Sequence, residues 1–177
     1  MSLTCVLGVS ALHHNIDTQK STFTVPCRQD GRILRDRTRA QVRAPIQNGT
    51  AETRSHPAVE IHVDARAQRV IDKGKSEKDR AEVRKTMLGR QVLDSERHHQ
   101  IVFESAAAEP GGQGQWRLRG NLTLRGQTQL VTVHVMLKDG RYTGDVTVKQ
   151  TDFGIKPPSG RQSQRRWQFQ NCLHIEQ

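Results

Sequence analysis

The chain between Asn121 and Val135 alternates strictly. Leu122 and Leu124 alternate with Asn121, Thr123 and Arg125, and Val131, Val133 and Val135 alternate with Thr132 and His134. A period of two places each apolar set on one face of a strand. The intervening Arg125-Gly126-Gln127-Thr128 marks a tight reversal, so the segment predicts a β-hairpin. The same pattern recurs elsewhere. Ile16 to Val25 opens polar and ends in β-formers, and Val59, Ile61 and Val63 alternate with Glu60, His62 and Asp64. Ile101 and Phe103 share a face, as do Trp116, Leu118, Gly120, Leu122 and Leu124, and, after Asp139-Gly140, Tyr142, Gly144, Val146 and Val148. Asn48-Gly49 and Glu109-Pro110-Gly111-Gly112 read as turns. Residues 26–43 have no clear period, and the segment from Pro157 is poorly patterned until Cys172 to Ile175.

One segment changes period. Ala81, Val83, Met87 and Leu88 repeat at helical spacing behind Ser76-Glu77-Lys78-Asp79, a capping box with Ser76 as N-cap and Asp79 at the third position. Gly89 is the expected C-cap. Seven or eight short antiparallel strands with one mid-chain helix predict an all-β chain, either a sandwich or an up-and-down barrel. A barrel of about eight strands has room for one small ligand, as in lipocalins. At 177 residues one domain is expected, over 16–177, with 1–15 as an N-terminal extension.

The formal charge of +10 changes the picture only through its distribution. Arg28, Arg32, Arg35, Arg37 and Arg39 against Asp30 and Asp36 leave +3, and Arg161, Arg165 and Arg166 add +3. Such clusters can bind a polyanion or an anionic membrane. Only 4% of residues are aromatic, too few for stacking platforms, so nucleic acid is not expected as a partner. Cys5, Cys27 and Cys172 are far apart with no CxxC, which argues against structural zinc. His13-His14 and His98-His99 each offer at most one ligand from an extended chain, so no metal is expected. His62 and His134 fall on polar strand faces. No Ser-His-Asp set, P-loop or dinucleotide turn is present, so no catalytic residue and no cofactor is assigned. Asn48-Gly-Thr50 and Asn121-Leu-Thr123 match the glycosylation triplet by chance composition. Leu3 to Leu12 has the length of a signal-peptide core but lacks a basic start and a good cleavage site. If it is a signal remnant, the protein is periplasmic or secreted; otherwise it is cytoplasmic. No run reaches the ~18 apolar residues of a membrane span.

From Asn15 to Glu176 the order of motifs resembles the YceI-like family, bacterial lipocalin-like barrels that bind polyisoprenoid lipids. IDTQKSTFTV resembles the family's first strand. KDRAEVRKTMLGRQVLDSER (Lys78 to Arg97) with Ile101 to Ser105 resembles its helix and the strand after it, with His98-His99 in place of the usual Tyr-Pro. The hairpin Gly120 to Val135 and the passage Lys149 to Ile155, containing TDFGI, complete the likeness. One segment departs. After the first strand the family has a small apolar-and-glycine run, ending in one branch in Gly-His-acid-His, whereas here stands PCRQDGRILRDRTRAQ (Pro26 to Gln41). These residues can be encoded so that reading from the second base gives RAGKTGVFSATGHEH, which has both features. We take Pro26 to about Gln41 as translated from a shifted frame; plain divergence is the alternative, and the gene's codons decide. Pro158 to Phe169 departs in a similar way.

The resemblance implies a non-catalytic carrier of a polyisoprenoid or other amphiphilic lipid. The inward residues would then line its cavity: Val59, Ile61, Val63, Ile101, Phe103, Leu118, Leu122, Leu124, Val131, Val133, Val135, Tyr142, Val146, Val148 and Phe153. Alternation alone does not separate a lined cavity from a packed core. Three further readings stay open: polyanion or anionic-membrane binding through the arginines, a damaged barrel without ligand, and a homodimer.

Overall fold

The computed structural model describes residues 13–15, 21–28, 39–52, 58–71, 74, 76–139, 141–155 and 166–173. The strands are β1 (His13–Asn15), β2 (Thr22–Arg28), β3 (Arg39–Glu52), β4 (Ala58–Asp64) and β5 (Arg69–Val70), then β6 (Gln100–Gly112), β7 (Gln115–Leu124), β8 (Gln127–Lys138), β9 (Arg141–Lys149) and β10 (Arg166–Leu173). Helix α1 (Glu77–Leu88) lies between β5 and β6. β1, β2, β3 and β10 enter the account through their backbone pairing.

Every pairing is antiparallel, and the order β3-β2-β10-β9-β8-β7-β6-β4 returns to its start because β4 also pairs with β3. The sheet therefore closes on itself as an up-and-down barrel, the fold that the alternation predicted. β3 makes closure work by its length. Its first half pairs with β2 on one edge and β5 on the other, and its second half pairs with β4. Closure is partial along two seams: β8 meets β9 only from His134 to Lys138, and β10 meets β2 only from Thr22 to Thr24.

Two turn assignments change. Asn48-Gly49 lies inside β3, beside the register shift between Ile46 and Asn48, so the pair accommodates a bulge and does not reverse the chain. Pro110 to Gly112 belongs to β6, and the reversal falls at Gln113-Gly114, where Gly114 has φ +68°. Residues on both sides of the unpatterned stretch are strand: Pro26, Cys27 and Arg28 pair with Gln41, Ala40 and Arg39. Backbone bonds need no side-chain alternation, which is why the pattern was silent there. β10 reaches only Thr22 to Thr24 of β2, so Pro26, with no N–H to give, lies beyond that ladder. Of the expected first strand, Thr22 to Val25 is in β2, and Ile16 to Lys20 lies outside the described residues. The segment Gln29 to Thr38, with Arg32, Arg35 and Arg37, also lies outside them.

The hairpin forms as predicted, with Leu124 opposite Gln127. Arg125 and Gly126 take φ of 53° and 69°, the left-handed pair that a two-residue type I′ turn requires. In α1 the Ser76 hydroxyl accepts from the Asp79 N–H at 3.1 Å, as the capping box predicted. Gly89 is the C-cap, as expected, with φ −69° and its N–H donating to the Thr86 carbonyl at 3.3 Å.

Candidate functional site

The inner face of the barrel follows from strand register. Ile61 stands opposite Phe103, which stands opposite Leu122, while Val63 faces Ile101. Leu118, Val133 and Trp116, Val135 form the next cross-strand pairs. All fifteen residues expected to line the interior fall in one contiguous apolar cluster. Ile61, Val63, Ile101, Phe103, Leu118, Leu122, Leu124, Val133, Val146, Val148 and Phe153 are buried; Val59, Val131, Val135 and Tyr142 are half-buried against them. On the opposite face, His62 bonds Glu60 at 2.5 Å and His134 is exposed, so both histidines lie outside the barrel as predicted.

One end of this interior is sealed. Val83 and Met87 of α1, Leu93 of the following turn, and Phe153 and Ile155 of the 150–155 turn are all buried there with Leu124. The Arg84 guanidinium donates to the carbonyls of Gln68 (2.8 Å) and Arg66 (2.9 Å), tying the helix to the end of β4 and the start of β5. Arg125, at the hairpin tip, donates to the carbonyls of Arg90 and Gly154. Gln129 adds a bond to the Asp152 carbonyl at 2.8 Å. The His98 ring packs over Gly126, where an added Cβ would lie 2.7 Å from it. The helix end, the His98 segment, the hairpin tip and the 150–155 turn thus meet at one place. The most recognisable sequence motifs build the floor of the barrel. Beside them Gln68 is only 1% exposed, and neither atom of its amide has a hydrogen-bond partner among the described residues.

The other end is looser. Trp116 and Tyr142, inner-facing and half-buried, lie with ring centroids 5.8 Å apart. Leu137, opposite Tyr142, is 37% exposed although it points along the inner face. The β6–β7 and β8–β9 hairpin tips are joined here by the Leu137 N–H to the Gly114 carbonyl, 2.7 Å. Burial along the inner faces of β4, β7 and β9 therefore falls from floor to rim, while on β8 it peaks at Val133, with Val131 and Val135 half-buried on either side. β6 bulges between Ser105 and Ala107, and the Ser105 hydroxyl accepts the Val59 N–H at 2.7 Å, supplying the bond that the bulge removes. Trp116, Leu137 and Ala108 extend the lining beyond the residues named from sequence. Trp116 carried the signal, since it alternates with Leu118.

Two depressions open on the surface. One of about 360 Å³ lies near the rim at β7 to β9, bordered by Gly111, Gln115, Trp116, Arg117, His134, Val135, Met136 and Asp145. The other, about 410 Å³, is bordered by Asp64, Arg66, His99 and Gln100. There Arg66 chelates Asp64 through Nε and a terminal nitrogen, both at 3.0 Å, and this bond holds the Asp64 carboxyl below its usual range. Among the described residues no group of three His, Cys, Asp or Glu side chains is placed to hold a metal ion. No described helix is long and apolar enough to cross a membrane.

The model of the YceI-like domain matches residues 14–168. The chain belongs to the YceI-like family. No curated protein matches it in a sequence comparison. Among solved structures it is similar to BcnA of Burkholderia cenocepacia, with TM-score 0.65 and 16% identity over 92% of this chain and 99% of that one. It is also similar to a polyisoprenoid binding domain from Saccharophagus degradans implicated in plant cell wall breakdown, with TM-score 0.57 and 11% identity over 92% and 97%. The Campylobacter jejuni YCEI protein gives TM-score 0.54 and 9% identity over 84% and 93%. These identities are low, so what is shared is the YceI-like barrel.

Proposed function

We propose that this YceI-like barrel binds a polyisoprenoid or similar amphiphilic lipid along its interior without transforming it. The observation that carries the reading is the gradient of burial: apolar inner faces sealed at the α1 floor and progressively exposed toward Trp116, Leu137 and Tyr142. An isoprenoid chain is apolar along its length, and burying it gains roughly 25 cal/mol per Å² removed from water. An apolar sleeve with one open end would suit that shape, the chain entering at the rim and the polar head staying there. The fifteen residues named from sequence, with Trp116 and Leu137, would be its lining. The polyisoprenoid-binding domain among the structural neighbours supports the same ligand class. The family match supports a binding role. The arginines of the polyanion reading lie outside the described residues or are described by backbone alone.

The test is to fill the sleeve near its mouth. Val135 is half-buried on the inner face, and Val135→Trp adds bulk there. Retention of a short-chain polyprenyl alcohol should fall at least tenfold while the circular dichroism spectrum is kept. Undiminished retention in a folded Val135→Trp protein would reject an interior site.

A further inference from the structure

We propose that the rim at the open end is a docking surface for an anionic lipid bilayer. This rests on the lipid-binding reading above, because it places the mouth on the layer from which the ligand would be drawn.

The large exposed apolar side chains among the described residues are Leu130, Met136 and Leu137. Two of the three are adjacent, at the end of β8, where the strand reaches the rim. Met136 is 46% and Leu137 37% exposed. They stand beside Lys138 and Arg141, which face each other across the β8–β9 turn, are both exposed, and form no ion pair among the described residues. The neighbouring β6–β7 tip, tied to Leu137 through the Gly114 carbonyl, presents Pro110 to Gln113 with no charge. Just behind the rim stand Trp116 and Tyr142, the residue types that settle at the headgroup level of a membrane.

Adjacent apolar side chains flanked by Lys138 and Arg141, which outnumber the exposed Asp139 between them, suit a partner with hydrocarbon below and negative charge above, which is the boundary layer of an anionic leaflet. A second copy of this chain fits less well, because each copy would bring the same net positive turn to the other.

The experiment uses the intact chain with vesicles of phosphatidylcholine alone or with a third phosphatidylglycerol, read by flotation at low and high salt. Binding should require phosphatidylglycerol and weaken as salt rises. Lys138→Gln/Arg141→Gln should weaken it about thirtyfold, and Met136→Gln/Leu137→Gln about tenfold. Leu130→Gln, away from the rim on β8, should leave it unchanged, and thermal melts check that each variant is folded. Equal binding to both vesicle types, full affinity in the folded double variants, or self-association at the rim in place of vesicle binding would overturn the proposal. Lipid retention is read separately by native mass spectrometry. A chain that keeps lipid but ignores vesicles overturns docking alone. A chain that docks through the rim but never keeps lipid upholds docking and overturns the interior site.

Discussion

Replacing Gln68 by Leu should stabilise the empty protein. Gln68 is 1% exposed beside the floor of the barrel, and its Nε2 and Oε1 have no partner among the described residues. A buried donor or acceptor left unsatisfied costs about 1–3 kcal/mol, whereas an apolar group of similar shape avoids that cost. Leu is close in volume and adds no polar atom, and the backbone carbonyl of Gln68 still accepts from Arg84. The expected gain is about 1–3 kcal/mol. For a chain of this size that is a rise of roughly 2–4 °C in Tm per kcal/mol. Urea unfolding of delipidated wild type and Gln68→Leu measures it, with the midpoint shifting and the slope unchanged. A loss of stability in delipidated Gln68→Leu would refute the reasoning, because it would mean that the amide is satisfied in the folded protein.

Other outcomes follow from the same geometry. Leu124, at 0% exposure, sits in the packed floor, so Leu124→Ala should cost about 2–5 kcal/mol in urea unfolding, and Val135→Ala near the rim clearly less. Equal losses would contradict the gradient from floor to rim. Gly120→Ala would put a Cβ 2.3 Å from the Glu104 carbonyl oxygen, inside the β6 bulge, and should destabilise by about 1–3 kcal/mol; an unchanged Tm would show that the strands are farther apart. The Arg66 bond depresses the Asp64 pKa, so its contribution is present above the unfolded value of about 3.8 and is lost as pH falls through the folded one. Asp64→Asn should therefore cost under about 1 kcal/mol, constant from pH 5 to 8 and vanishing in acid; a cost that changes near neutrality would refute this. Resequencing the gene should reveal codons for Pro26 to Gln41 that yield an apolar, glycine-rich string in another frame; codons that cannot would establish divergence.

Much of the fold was legible because the closed sheet needs what alternation records. Wherever a strand has one buried face, as in Val59 to Val63 or Leu118 to Leu124, the period of two survives in the sequence. The capping box was legible because Ser76 acts on its own backbone neighbourhood. Asn48-Gly49 misled because the same backbone freedom that makes a turn also makes a bulge. β10 and the inner ends of β2 and β3 were hidden because ladder bonds belong to the backbone, and a basic or arginine-rich strand can still pair. The fifteen interior positions were readable as one face, yet the same pattern serves a core and a sleeve. What separates the two is whether the interior retains a lipid. The rim was not readable. Met136 and Leu137 sit on opposite faces of β8, and only the end of the barrel leaves both exposed.

The measurement that bears most directly on the account is native mass spectrometry of the purified chain beside its denatured mass. The account predicts one extra mass of a few hundred daltons per chain, extractable into organic solvent and restored when a polyprenyl lipid is added to the stripped protein. A chain that is empty as purified and stays empty when isoprenoids are supplied would contradict it, and would make the barrel interior a packed core.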